Sequence, residues 1–292
     1  MADWYISADI GNDSTGDGSE GSPWLTIAKA YTEASDGDTI YLQDSTANYT
    51  FPNQLFAKSL NIRGVEGDAT AVVLDGSAFV RRWYTNGNAD VVLDIRWVTF
   101  YNITTEGAGT YRNTIAGYNL TVSNCIFRKI INSSASGNAG VAGIVGTEYA
   151  ATASPLAITI KNNLFYELEG GTPNLYISLH NNGGADTGYV RWYNNTVYAD
   201  GSYTTPVMFV CNTVASVDFE VKNNIFYATS STAMPVSGSA LDGVFNYNST
   251  YNCTNVPDGT GNITSDPLFV DAANDNFNLR PSSPCIDTGT II

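Results

Sequence analysis

Five side chains recur at one position of a repeat: Tyr101, Arg128, Tyr166, Tyr198 and Tyr227. Phenol rings and a guanidinium in a row suit stacking on sugar rings, because tyrosine offers an apolar face and a polar tip. Tyrosine also favours exposed strand positions and stacks on itself, so the same row reads as ordinary sheet surface. Two further rows carry charge. One runs Arg96, Ser123, Lys161, Tyr193, Lys222, and the other Asp94, Thr121, Thr159, Arg191, Glu220. Lys161 or Lys222 near Glu220 or Asp94 could act as a base only if burial or a cation depressed its pKa. Exposed charges flanking a corner are the plainer reading.

Other chemistry is thinly represented. A glycoside-cleaving pair needs two carboxylates roughly 5 to 10 Å apart. Asp75, Asp94, Asp186, Asp200, Asp218 and Asp242 are available, with no clustered pair among them. The single histidine, His180, lies in Leu179-His-Asn-Asn-Gly-Gly184, where a structural role competes with acid–base work. Asp9, Asn12, Asp13 and Asp17 set hard oxygen ligands among glycines, as Ca²⁺ requires, although their spacing departs from the EF-hand pattern and a plain Asp/Gly turn fits equally. Cys125, Cys211, Cys253 and Cys285 are widely spaced, and one histidine cannot complete an ordinary zinc site with them. The N-x-S/T tripeptides at Asn102, Asn119, Asn194, Asn248 and Asn262 are expected by chance in a chain so rich in Asn and Thr.

What must position these rows is the repeat itself, clearest in Ile158-Thr-Ile-Lys-Asn-Asn-Leu-Phe-Tyr-Glu-Leu168. Copies start at Leu93, Leu120, Val190 and Phe219. Each alternates apolar and polar residues, turns on two residues that are usually Asn, and resumes with apolar residues: strand, tight corner, strand. Aligned on the second corner residue, the copies fall at Val98, Cys125, Asn163, Asn195 and Asn224, so the steps are 27, 38, 32 and 29 residues. So small a unit cannot bury its own apolar side and must stack on its neighbours. Stacked corners give a column of Asn that can bond along a ladder, with Cys125 as a small buried filler. Ile160 and Leu164 or Phe165 take inward places, and the three rows above point outward. Unequal steps mean that surplus residues leave as loops, expected at 105–117, 131–155, 170–188, 200–206 and 229–241. The reading is an all-β, single-stranded parallel β-helix, one continuous domain.

The ends are consistent with a solenoid. Residues 1–50 read as an N-terminal cap: a strand at Trp4–Ser7, the loop Gly11–Gly21, and a helix with Ser22 as N-cap and Pro23 first, bearing the stripe Leu25, Ile27, Ala28, Tyr31, Ala34. Thr39–Leu42 is the first coil strand. Residues 51–265 hold the coils and 266–292 a closing segment. The opening pattern (Tyr5-Ile-Ser7, the glycine loop, Pro23-Trp-Leu-Thr-Ile27, Gly37-Asp-Thr-Ile-Tyr-Leu42) resembles right-handed parallel β-helix proteins of the pectate-lyase-like superfamily. Asp266-Pro-Leu-Phe-Val-Asp271 through Phe277–Gly289 is similar to their closing segment. The resemblance implies a right-handed helix. It is weak for activity, since that superfamily spans lyases, hydrolases, phage tailspikes and proteins of no known chemistry. The Asp-Asp and His-Gly motifs of its polygalacturonases are not found here.

Composition narrows the partners. With 13 basic against 28 acidic residues, nucleic acid and anionic membranes are not expected, and a polyanionic substrate is disfavoured unless a cation such as Ca²⁺ mediates. No stretch approaches the ~20 apolar residues of a membrane span. The first residues show no basic segment followed by an apolar run, so either no secretory leader exists or one has been removed. Three functions stay open: an extracellular or virion-surface module that faces carbohydrate, a structural virion or filament component that associates with itself or its neighbours, and a polysaccharide lyase or glycoside hydrolase.

Overall fold

A computed structural model describes residues 1–79, 81–85, 88, 90–105, 114–132, 143–146, 155–170, 174–180, 187–199, 206–212, 217–233, 236–237, 244–254 and 256–292. The chain winds through three parallel sheets. The first holds Asp3–Ile6, Thr39–Leu42, Leu60–Arg63, Val92–Arg96, Asn119–Ser123, Leu156–Lys161, Gly188–Tyr193, Val217–Lys222 and Phe245–Asn246, stacked in that order. A corner leads each coil into the second sheet, which includes Val73–Asp75, Thr99–Thr105, Ile126–Asn132, Leu164–Tyr166, Thr196–Ala199, Ile225–Ala233 and Ser249–Thr254. The third, from Gln54–Leu55 to Val236–Ser237, returns the chain to the first. One antiparallel pair, Phe269–Asp271 with Asn276–Leu279, lies apart from the coils. The molecule is an all-β parallel β-helix. No described helix is long and apolar enough to cross a membrane.

Register follows the repeat residue for residue. Arg96, Ser123, Lys161, Tyr193 and Lys222 are successive partners, as are Asp94, Thr121, Thr159, Arg191 and Glu220. Inward positions stack on their own kind, Phe100 on Phe127 at 4.9 Å and Phe127 on Phe165 at 4.8 Å between ring centroids. That spacing is the separation of neighbouring strands, so identical residues in register give nearly parallel, offset rings.

Each corner turns on a left-handed residue followed by a buried one. Asn124, Asn162, Asn194 and Asn223 have φ between 53° and 59°, a region where Asn is among the few side chains that sit without much strain. The next residue belongs to the ladder. The side-chain oxygens of Asn163, Asn195, Asn224, Asn248 and Asn262 accept from the backbone N–H of the ladder residue one coil earlier, Cys125 first, at 2.8–2.9 Å. Their amide groups donate onward to carbonyls at Val122, Ile160, Trp192, Val221 and Phe245. The ladder therefore runs two steps beyond the five recognised copies, through Asn248 and Asn262. Cys125 is the buried filler expected.

The N-terminal cap departs from expectation at its helix. The helix is Ile27–Glu33 with Thr26 as N-cap, not a helix begun at Ser22-Pro23. Residues 22–24 are held extended: Trp24 bridges Ile6, its N–H donates to the Tyr5 carbonyl, and its carbonyl accepts from Ser7 N–H. That pairing covers the outer edge of the first strand, which would otherwise offer open bonds for self-association. Leu25 is consequently exposed, and Ile27, Ala30 and Ala34 carry the burial.

Candidate functional site

The row Tyr101, Arg128, Tyr166, Tyr198, Tyr227 exists in the second sheet and continues to Tyr251. Tyr198 stacks on Tyr227 at 5.0 Å and Tyr227 on Tyr251 at 5.1 Å. The row points away from the coil, but its middle is covered: Tyr166 is buried, and Tyr198 and Tyr227 are only partly accessible. The closing segment folds back over the second sheet and sets Phe269 and Phe277 on the tyrosine faces. Phe277 lies 5.0 Å from Tyr166 and 5.1 Å from Tyr198, and Phe269 lies 5.6 Å from Tyr227. Tyr166 is only 6% exposed, and burial raises its pKa. The solvent-facing aromatic strip expected from alternation is thus corrected: alternation distinguishes the inside of the coil from its outside, and the outside here is partly a second, small core.

Tyr101 lies beyond the hairpin, half-exposed, with the Arg128 guanidinium 5.8 Å and the Lys129 ammonium 5.7 Å from its ring centroid. Arg128 donates to Glu167 at 2.7 Å and lies 3.5 Å from Asp275 of the hairpin. The bond to Glu167 raises its pKa above the ordinary arginine value.

The back-folded segment also creates a trough. Its floor is the first outward column of the second sheet, Ile126, Leu164, Thr196, Ile225 and Ser249. One wall is the corner row, with the exposed side chains of Asn162 and Asn194. The opposite wall is the closing segment, with Asp275, Asn276, Phe277 and Asn278 above and Leu279 and Cys285 below, while Gly67–Thr70 close the upper end. The upper part is an open depression of about 760 Å³ and the lower one of about 300 Å³, with Asn194 and Thr196 lining both. Five strands at parallel-sheet spacing make the floor roughly 19 Å long. Asn223 is spent on the tail, exchanging bonds of 2.7 and 2.9 Å with the backbone of Thr290. Sequence reasoning placed the Asn corner as scaffold. Its buried half forms the ladder, its exposed half supplies the left-handed turn and, at Asn162, a bond to Asn124 at 3.2 Å, and the groove depends on a long-range contact that no local pattern announces.

Most of the charged residues described in the first sheet's rows pair with one another. Lys222 donates to Glu220 at 3.0 Å, Tyr193 donates its hydroxyl to the same carboxylate, and Arg191 pairs with Asp218. Tyr193 lowers the pKa of Glu220, with Lys222 and Arg191 adding to it and burial opposing, while burial and then Glu220 raise that of Tyr193. Asp94 is shared by Arg63 and Arg96. Lys161 is exposed. Asp75 accepts from Ser77 N–H at 2.6 Å, closing a turn. The side chain of His180, and Asp186, Asp200 and Asp242, lie outside the described residues, as do most of the expected loops.

The N-terminal loop uses its oxygens internally. The Asp9 carboxylate accepts from Thr46 N–H at 2.7 Å and Ala47 N–H at 2.9 Å. Asn12 accepts from Ser14 and Thr15, Asp13 from Leu25 and Thr26, and Asp17 from Ser19. Backbone donors lower the pKa of Asp9 in this way. Among the described residues no three His, Cys, Asp or Glu side chains gather as metal ligands. The four calcium candidates Asp9, Asn12, Asp13 and Asp17 thus each accept backbone N–H groups in turns and at the helix N-terminus.

No family model matches the sequence, and no curated protein matches it. Among solved structures, the crystal structure of pectate lyase Pel9A is similar over 100% of this chain and 92% of that one, at 14% identity and a TM-score of 0.34. So distant a similarity carries no argument about chemistry. The assignment as a parallel β-helix rests on the strand register.

Proposed function

We propose that the chain is a carbohydrate-facing β-helix module, displayed outside the cell or on a virion surface, which binds a linear glycan along the trough. The observation that carries this reading is the trough itself: long, open, and lined on both walls by side-chain amides. Amides donate and accept at once, which matches the hydroxyls of a sugar chain. A floor of Ile126, Leu164, Thr196 and Ile225, mostly aliphatic with one hydroxyl, suits the mixed faces of pyranose rings. Tyr101, partly exposed, can stack on a sugar beyond the hairpin. The activity proposed is binding, because among the described residues Lys222, Glu220, Arg191 and Asp218 are held in ion pairs with one another.

The test is calorimetric titration with neutral linear hexasaccharides (cello-, xylo-, manno- and galacto-series) against the protein and its Asn162→Gly/Asn194→Gly variant. Glycine adopts the left-handed corner without strain, so the variant loses two amides and keeps the turn. Saturable binding that weakens at least about tenfold in the variant, equivalent to ~1.4 kcal/mol, is expected. Binding indifferent to the double substitution would remove the trough from the account.

A further inference from the structure

Resting on that reading, we infer that the trough selects uncharged glycans and rejects uronic or sulfated ones, and that Asp68 and Asp275 set this selectivity. Both carboxylates are exposed and line the upper trough, one at its closed end and one on the hairpin wall. Among the described residues, no lysine or arginine lines the groove. Asp68 is an N-cap: Thr70 donates its hydroxyl and its N–H to the carboxylate, and these two bonds, in that order, hold its pKa below the ordinary value despite some desolvation. Asp275 shares Arg128 with Glu167, so within this ion-paired set one positive charge stands between two negative ones, with Lys129 over the Tyr101 ring beside it. Lys161 and Lys222 belong to the first sheet, around the corner from the trough, and Lys222 is bound to Glu220. With 28 acidic against 13 basic residues, the rest of the surface adds repulsion.

The physics is asymmetric. An uncharged chain loses nothing by lying near an anionic rim, and its hydroxyls can donate to carboxylates. A carboxylated or sulfated chain brings like charge within a few ångströms in a groove partly shielded from water, a penalty of about tenfold or more in affinity at low salt. Salt reduces that penalty without affecting neutral contacts, because the rim is exposed.

Asp68→Asn/Asp275→Asn tests this directly. Asn keeps the capping acceptor at 68 and tolerates the left-handed backbone of residue 275, whose φ is 61°. Titrations of the intact protein with the four neutral hexasaccharides and with hexagalacturonate, in EDTA at 10 mM and 150 mM NaCl, give the comparison. The expected result is hexagalacturonate binding at least about tenfold weaker than the best neutral ligand at low salt, with the gap narrowing at 150 mM. In the double variant, the ratio of acidic to neutral affinity rises about tenfold. Hexagalacturonate bound as tightly as the best neutral ligand by the wild type overturns the selectivity. If that binding is also lost in Asn162→Gly/Asn194→Gly, the trough survives as a glycan site while the inference fails. No binding of any of the five probes overturns both.

Discussion

Asn194 and Asn195 are the same residue type side by side, and the structure gives them opposite fates under substitution. Asn195 is 1% exposed. Its oxygen accepts from Asn163 N–H at 2.9 Å and from the Asn163 amide at 3.0 Å, and its own amide donates to Ile160 O at 3.0 Å and Asn224 Oδ1 at 3.2 Å. Asn195→Leu keeps the shape and removes all four bonds. The Asn163 N–H loses its acceptor outright, which costs about 2 kcal/mol for a buried donor, and the other three losses leave groups with a remaining partner or a carbonyl short of one donor, at about 1 kcal/mol each. The apolar surface of leucine returns about 2 kcal/mol. The net loss is about 3 kcal/mol. With a urea m-value of about 3 kcal/mol/M, the unfolding midpoint falls by about 1 M. Asn194→Gly at the exposed left-handed position shifts it by less than about 0.2 M, because glycine accepts that backbone freely. Circular dichroism against urea reads both. A drop under about 0.3 M for Asn195→Leu, or equal drops for the two variants, would refute the ladder as the element that locks the corners.

Three further outcomes follow from the same structure. Phe277→Ala removes the ring that contacts Tyr166, Tyr198 and Phe269, at about 3 kcal/mol for an aromatic deletion, so limited proteolysis should cut within 266–292 first while the coil signal persists; unchanged protection would contradict the hairpin packing. Acid should loosen the cap. Asp38 is buried, which alone would raise its pKa, but Ala2 N–H, Ser35 N–H and the Trp4 indole outweigh burial and lower it, and Asp13 is lowered by Thr26 and Leu25 in the same way. Depressed carboxylates stabilise the fold above the unfolded value of about 3.9 and lose that contribution as pH falls through their folded values, so tryptophan fluorescence of the Trp4–Trp24 stack should change below about pH 4 in wild type, and Asp38→Asn should show a smaller change. Cys125 is buried, which pushes its thiol up to about 12, so it should resist a thiol-reactive disulfide reagent at pH 8 until the protein unfolds; prompt labelling of Cys125 in the native protein would contradict its place in the ladder.

How much of this could be read from residues alone depends on range. The corner was legible because φ near +55° and a buried hydrogen-bonded turn both favour Asn, and Asn recurs at Asn162-Asn163, Asn194-Asn195 and Asn223-Asn224. Once the corner is aligned, register is forced, so rows such as Lys161–Tyr193–Lys222 emerge correctly from spacing. The sixth corner, Tyr247-Asn248, escaped because tyrosine occupies the left-handed site, although Asn246-Tyr-Asn248 carried the signal. Helix start was misplaced because Pro23 fits both a first helical turn and the extended edge pairing that Trp24 makes. The site was the least legible part. Phe269 and Phe277 meet tyrosines 42 to 111 residues earlier in the chain, through rings rather than any repeated pattern, and only that contact converts an exposed strip into a covered one with a trough beside it.

The most direct test of the glycan-facing trough is a crystal structure of the protein soaked with whichever neutral hexasaccharide binds in titration. Sugar density lying along Ile126, Leu164 and Thr196, with hydroxyls bonded to the Asn162 and Asn194 amides, is the predicted result. Density seated elsewhere on the coils, with the trough occupied only by solvent, would contradict it.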